Sequence, residues 1–368
     1  MTELAADESS LSRFVGSAAH RDLRGVFLSA HQHAKPKGLV LSPSVAVPDL
    51  GRTGNPAGLG STQVVTGKTP SSHAPIAHDV VASGSFGGGV GQFGRKRQAE
   101  SSPEGPMAIS AAPDGSVLIV DQVNRRVARY KDGRFVSQIP IGGDTVQDLA
   151  IGAEGRVVLL DRFVDRGILV YGPDGKLIND VPLPSKLDLG SLTGVFADEH
   201  GIYVEREHGQ VTQVADANGN RIEGSKELSG RPSRDGQLVL SAALLERQSG
   251  QVLIRAHDRN RATLVFEKVV QLPTPVLHLV MLDSDRSGRI YFAAVTAIED
   301  QAPPYALSDE ALFAVRLGRD GSERGRLKLP PLHGSDESFR PVTVDDGGNL
   351  LVMQSSETGL SVVRYAFP

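Results

Sequence analysis

One motif recurs along the chain: a glycine followed almost at once by a short apolar run. It occurs at Gly115, Gly155, Gly201, Gly250, Gly288 and Gly348, ahead of residues 117–120, 157–160, 202–204, 252–254, 290–292 and 350–353. The intervals are 40, 46, 49, 38 and 60 residues. About four strand-like runs fit in each interval, which is the period and content of a β-propeller blade. A unit of that size cannot bury both faces of its sheet alone. Stacked in a ring, each unit covers its neighbour.

With 368 residues the chain is long enough for six such units. Its 41 glycines and 22 prolines suit a turn-rich all-β protein. The absence of Trp, with aromatics at 5%, argues against a carbohydrate-stacking platform and a WD-type repeat. A formal net charge of −4 offers no surface-wide attraction to nucleic acid, so nucleic-acid binding is not expected overall. The one dense basic run, Arg95-Lys96-Arg97, has no interleaved aromatics to stack on bases and reads as solvated. No Cys is present, which excludes disulfides, thiolate metal sites and a Cys nucleophile. No apolar run approaches the ~18 residues of a membrane helix. Residues 1–10 are acidic and polar, unlike a signal peptide. The chain as written reads as cytoplasmic, or as extracytoplasmic if a signal was removed ahead of this numbering.

Residues 1–77 form a separate N-terminal segment. Leu11, Val15, Ala19, Leu23 and Phe27 recur every fourth position, with Ser10 as N-cap, and predict an amphipathic helix over 10–29. Gly16 and Gly25 interrupt it at ~1 kcal/mol each. From residue 34 the segment becomes a Pro/Gly-rich arm with no periodicity. The propeller is expected over 78–368. Blade one is the clearest, with the hairpins Asp114-Gly115 and Asp132-Gly133, since Asp-Gly favours the positive φ of a tight turn. Blade four is read from 238–245 to Leu272, with its third strand at 263–266. Blade five carries an insertion, 297–309. Blade six has only three strands, at 341–344, 350–353 and 361–367, and lacks an outer one. Residues 78–86 read as a strand and are expected to pair with 361–367, closing the ring and removing the exposed sheet edges.

Blade one resembles an NHL repeat. The matching residues are Gly91-Gln92-Phe93, Gly105-Pro106, Asp114-Gly115, Asp121, Asn124, Arg126-Val127 and Tyr130-Lys131-Asp132-Gly133. Blade two keeps Gly155, Asp161, Arg166 and Gly175 without the Asn, and the later blades keep mainly the glycine hairpins. The resemblance implies a divergent six-bladed ring from a family of modules that bind proteins, RNA or polysaccharide. Related rings also include metal-dependent lactonases and a lyase. Asp121, Asn124, Arg126, Asp161 and Arg166 read as structural: Asp121 and Arg126 can pair across their loop, and Asn124 can take the positive φ of a tight turn.

Enzymes of this architecture hold a divalent ion with side chains of the inner strands. The inner-strand starts here carry Glu104, Gln147, Asp148, Thr193, Ser241, His278 and Arg340. Glu104, Asp148 and His278 are the channel candidates, but no two blades share a ligand type at one register. Asp283, Asp285 and Ser287 have the spacing that opens a Ca²⁺ loop, yet Ala294 stands where the bidentate Glu belongs, so a hairpin is the simpler reading. His31 and His33 share one face if extended and read as a solvated tail. These residues predict no cofactor, with Ca²⁺ as the one weak alternative. The expectation is a non-enzymatic binding or scaffold propeller that recognises a protein or polysaccharide through loops such as 86–106 and 297–309. The alternatives are a metal-dependent hydrolase or lyase, and a subunit of a larger assembly using residues 1–77 as an arm.

Overall fold

A glycine hairpin lays two apolar strands side by side, and in this chain the hairpins build sheets of four. The computed structural model describes residues 76–368 except 98, 100, 247, 304, 333 and 335. Its twenty-four strands form six antiparallel sheets of four strands each, an all-β six-bladed propeller. Residues 76–97 and 103–368 belong to one compact unit, which is the ring. The expected helix over 10–29 and the arm that follows it to residue 75 lie outside the described residues.

The innermost strands of blades one to six are β2 (Ala108–Ala111), β6 (Val146–Ile151), β10 (Leu192–Ala197), β14 (Arg231–Pro232), β18 (Val276–Ser284) and β22 (Val342–Val344). Middle strands of blades one and two are buried on both faces. β3 (Val117–Asp121), β7 (Val157–Asp161) and β8 (Gly167–Tyr171) have no exposed residue. That explains why they read as continuous apolar runs rather than as alternating ones. Their side chains pack between blades: Leu160 and Ile168 of blade two meet Val204 and Val214 of blade three in one core layer. Similar layers fill the other interfaces, as where Val252 and Ile254 of blade four meet Phe292 and Phe313 of blade five.

Blade six is completed from the opposite end of the ring. β1 (His78–Ser85) pairs antiparallel with β24 (Gly359–Tyr365), His78 opposite Tyr365 and Ser85 opposite Gly359. Inside them lie β23 (Leu350–Ser355) and β22. Val81 and Ala82 of β1 are buried against Leu351, Met353 and Val362, so the closing strand contributes to the core as well as to the ladder.

Two sequence readings are corrected. In blade four, residues 238–245 belong to the second strand, β15 (Leu238–Glu246); the third is β16 (Gln251–Asp258) and the fourth β17 (Leu264–Gln271). Residues 263–266 therefore open the outer strand, and Gly250 turns between the second and third strands. The hairpin equivalent to Gly115 and Gly155 is at Gly236, whose amide donates to the Ser233 carbonyl at 2.8 Å. The inner strand was missed because it has two residues, one an arginine, and no apolar run. In blade five, 297–309 is not a free loop throughout: 297–299 and 307–309 are strand. It extends a long hairpin of β19 (Ile290–Glu299) and β20 (Leu307–Leu317).

Because every blade repeats one strand order, turns between second and third strands gather on one face of the ring, called the upper face here, with the crossings to each next inner strand. Turns between first and second, and between third and fourth, gather on the lower face.

Candidate functional site: the central channel and its upper mouth

Six inner strands converge on the axis, and four arginines enter the space between them. Arg231 of β14 places a bidentate fork on Glu205 of β11 (Ile202–Arg206) in blade three, with Nε to Oε1 at 2.6 Å and Nη2 to Oε2 at 2.8 Å. Its Nη1 donates to the Leu282 carbonyl of blade five at 3.0 Å. Arg234, in the turn after β14, pairs with Asp283 of blade five, Nε to Oδ1 at 3.1 Å. It also donates to the Val344 carbonyl and the Thr343 hydroxyl of blade six, both at 2.9 Å. Arg340, just ahead of β22, crosses to Asp148 of blade two at 2.6 Å and to the Val195 carbonyl of blade three at 2.9 Å. Arg231 and Arg340 both lie over the Phe196 ring, 5.2 Å and 4.9 Å from its centroid.

Arg162 is different. It stands in the β7–β8 turn on the upper face, and its Nη1 donates to the Leu192 carbonyl of blade three at 2.7 Å. Its guanidinium carbon is 4.9 Å and 5.1 Å from the ring centroids of Phe163 and Phe339.

Two of the carboxylates opposite these cations are deeply buried. Asp148 and Glu205 are fully covered. Burial pushes the Asp148 carboxyl up, against the pull of Arg340 and of the amides of Val195 and Leu149. Burial also works against the Glu205 charge, but Arg231 and the Thr193 hydroxyl hold it below the usual carboxylate range. Burial disfavours the Arg234 charge as well, and Asp283 more than offsets it. Each guanidinium joins residues from separate blades, so the channel chemistry acts as a set of cross-ties. Arg231 and Arg234 had no place in the sequence reading because the inner strand of blade four was assigned elsewhere. The only available signal was Arg231-Pro232-Ser233-Arg234 ahead of Asp235-Gly236, a hairpin glycine with no apolar strand before it.

The three channel candidates are not brought together. Asp148 lies in the channel on Arg340. Glu104 lies outside the inner strand, in bridges to Lys96 and Glu337, with the Lys96 ammonium 4.0 Å from its carboxylate. His278 is exposed on β18. Among the described residues, no group of three His, Asp or Glu side chains is placed to hold a metal ion. Of the other inner-strand candidates, Gln147 accepts the Arg162 amide at 3.3 Å and Ser241 lies in β15. The oxygens of the Asp283-to-Ser287 loop are taken by protein donors. Asp283 holds Arg234, while Asp285 accepts from the Ser287 hydroxyl at 2.7 Å, Arg289 Nε at 2.5 Å and the Tyr291 hydroxyl at 2.7 Å.

The blade motif is a hydrogen-bond knot. Asp121 accepts from Arg126 Nε at 2.8 Å, the Asn124 amide at 2.9 Å and the Gly94 backbone at 2.8 Å. Two details depart from expectation. Asn124 bonds with its side chain, and the left-handed residue is Arg125, at φ 53°. In blade two Arg166, at φ 50°, occupies the Arg125 position; the residue facing Asp161 is Gly167. Asp161 turns instead to the Thr145 hydroxyl at 2.6 Å and the amides of Phe163 and Val164. The basic run is solvated at Lys96 and Arg97, which are exposed, but not at Arg95. Arg95 is buried on Asp336 at 2.6 Å and Arg97 reaches Glu357 at 2.6 Å, fastening the loop ahead of blade one to blade six.

No family model matches the chain, and no curated protein matches it in sequence. Solved structures are similar to it over part of its length. Hydrazine synthase of Kuenenia stuttgartiensis is 14% identical, over 67% of this chain and 73% of that one, at a TM-score of 0.43. A gluconolactonase from Xanthomonas campestris is 14% identical over 74% and 94%, at 0.41. A catalytically inactive virginiamycin B lyase from Staphylococcus aureus, with quinupristin, is 13% identical over 74% and 98%, at 0.39. Strand order and channel together define the class: a six-bladed β-propeller. Among the described residues no helix is long and apolar enough to cross a membrane.

Proposed function

We propose that the protein is a non-enzymatic binding propeller that engages a macromolecular partner, a protein or a polysaccharide, on its upper face. The observation that carries this reading is how the channel uses its polar groups. Asp148, Glu205 and Asp283 are each held by an arginine from another blade. An open metal or water site needs ligands with unfilled positions, and carboxylates whose oxygens already accept from guanidinium groups and, at Asp148, from backbone amides offer few. Recognition then falls to the surface. The long hairpins of blades four and five rise from the upper face and expose Leu245 at 50%, Ile298 at 45% and Leu307 at 44%. Exposed apolar side chains grouped on one face favour contact with a partner.

The test compares wild type with the double variant L245D/I298D. Wild type should retain a partner from an extract of its own cells, and the variant should lose it while melting as one cooperative unit. Equal capture by both proteins would overturn the reading. So would turnover of an ester or lactone that D148N abolishes in a folded ring.

A further inference from the structure

Three of the four channel guanidiniums face a carboxylate within ion-pair distance, and Arg162 does not. Among the described residues no Asp or Glu oxygen lies within 4.0 Å of it. Among the described residues its guanidinium makes one hydrogen bond, from Nη1 to the Leu192 carbonyl at 2.7 Å, and its buried Nε has no partner. Arg162 is half-buried, and cation–π contact with two Phe rings and one carbonyl compensates its partly desolvated guanidinium only in part. Burial lowers the Arg162 pKa, opposed by Glu337 and Asp148 at longer range.

The surroundings show what would complete it. Phe163 and Phe339 flank the guanidinium on the upper face. Phe163 is 60% exposed and the adjoining Val164 is 66% exposed, so the cation sits beneath an apolar lip open to solvent. A planar anion matches the fork of an arginine, and a carboxylate is the smallest that does. An apolar group beside the carboxylate would cover the Phe163 ring.

We infer that the Arg162–Phe163–Phe339 mouth is a binding site for a carboxylate carrying an adjacent apolar group. Such a group ends a peptide with an apolar last residue and also occurs in small aromatic acids. The site is built by the β7–β8 turn of blade two and the crossing into blade six, and shares no residue with the apolar hairpins of blades four and five. Its failure would leave the hairpin reading standing, and the reverse holds too.

The experiment is isothermal titration of the full chain with two probes, N-acetyl-Leu-Phe and 3-phenylpropionate, each against its neutral amide. The expected result is saturable binding of a free acid with Kd on the order of 1 mM or tighter, and none of the amides. R162Q should abolish it. R162K keeps the charge but not the fork and should weaken it about tenfold. F163A, at an exposed ring, should weaken it several-fold, and E337Q should strengthen it by removing a like charge from the same face. A tighter peptide assigns the site to a protein partner, and a tighter small acid assigns it to a metabolite; both support the site. No saturable binding by either acid, equal binding of the amides, or binding unchanged in R162Q would overturn it. If R162Q does not fold, R162K and F163A decide by the same criteria.

Discussion

At the scale of single residues, the channel arginines act between blades, and their loss should be felt as stability. Removing one partner of a buried pair leaves the other charged and unsolvated, which costs about 3–5 kcal/mol. R340M should therefore lower the urea midpoint strongly, since it strands the fully covered Asp148. D148N/R340M should cost clearly less than the two single changes added together. Additive costs would show that the pair does not hold the ring. The glycines separate into two kinds. Gly115 has φ 81° and a Cβ there would touch nothing, so its constraint is the backbone alone. G115V should cost about 1–2 kcal/mol, and G115N much less, because Asn visits the left-handed region. Gly201 is the reverse: no positive φ, but a Cβ would sit 2.6 Å from the Ala215 carbonyl oxygen. Thermal melts of G115V and G115N check this, and equal costs for the two would refute it. The Asp-Gly turns were legible because their residues act locally. The cross-channel partners were not, since Arg340 and Asp148 lie 192 positions apart and nothing in either neighbourhood names the other.

At the scale of elements, legibility followed how much each strand says about itself. Middle strands such as β7, apolar on both faces, stand out anywhere. β14 does not: two residues in a crossing are enough to line the channel when β15 carries the sheet. One short strand shifted the reading of its whole blade and hid two of the four channel arginines. The closing strand is the opposite case, an eight-residue element whose partner comes from the far end of the ring. Without it, β24 would present an unpaired edge and Leu351, Met353 and Val362 would lose their cover. A chain starting at Gly87 should aggregate, whereas one starting at Ser71 should give a single cooperative melt. Identical melting of the two by scanning calorimetry would exclude this role for β1.

At the scale of the whole ring, the hairpins set the response to acid. Asp114 is held at about 2: burial works against its charge, but the Ser116 hydroxyl and amide and then Arg129 outweigh it. Four more are lowered within their own turns: Asp174 and Asp258 first by the backbone amides of Lys176 and Arg261, Asp320 first by the Ser322 hydroxyl, and Asp216, against burial, by the Asn220 side chain and amide. A carboxyl depressed on folding adds stability that is present above its ordinary value of 3.8 and is lost as pH falls toward the folded value. The urea midpoint should therefore drop between about pH 5 and about pH 3. A midpoint that stays level or rises would show that these turns do not carry the linkage. The shared clasp of β1 and β24 also has a consequence in time. On a ribosome the first strand of the ring emerges long before its neighbour exists, so blade six cannot finish until synthesis has passed Tyr365. Contacts of such long sequence separation form late, after five blades have already stacked. The nascent protein thus spends its synthesis as an open arc, and completion is a single late docking event at one seam.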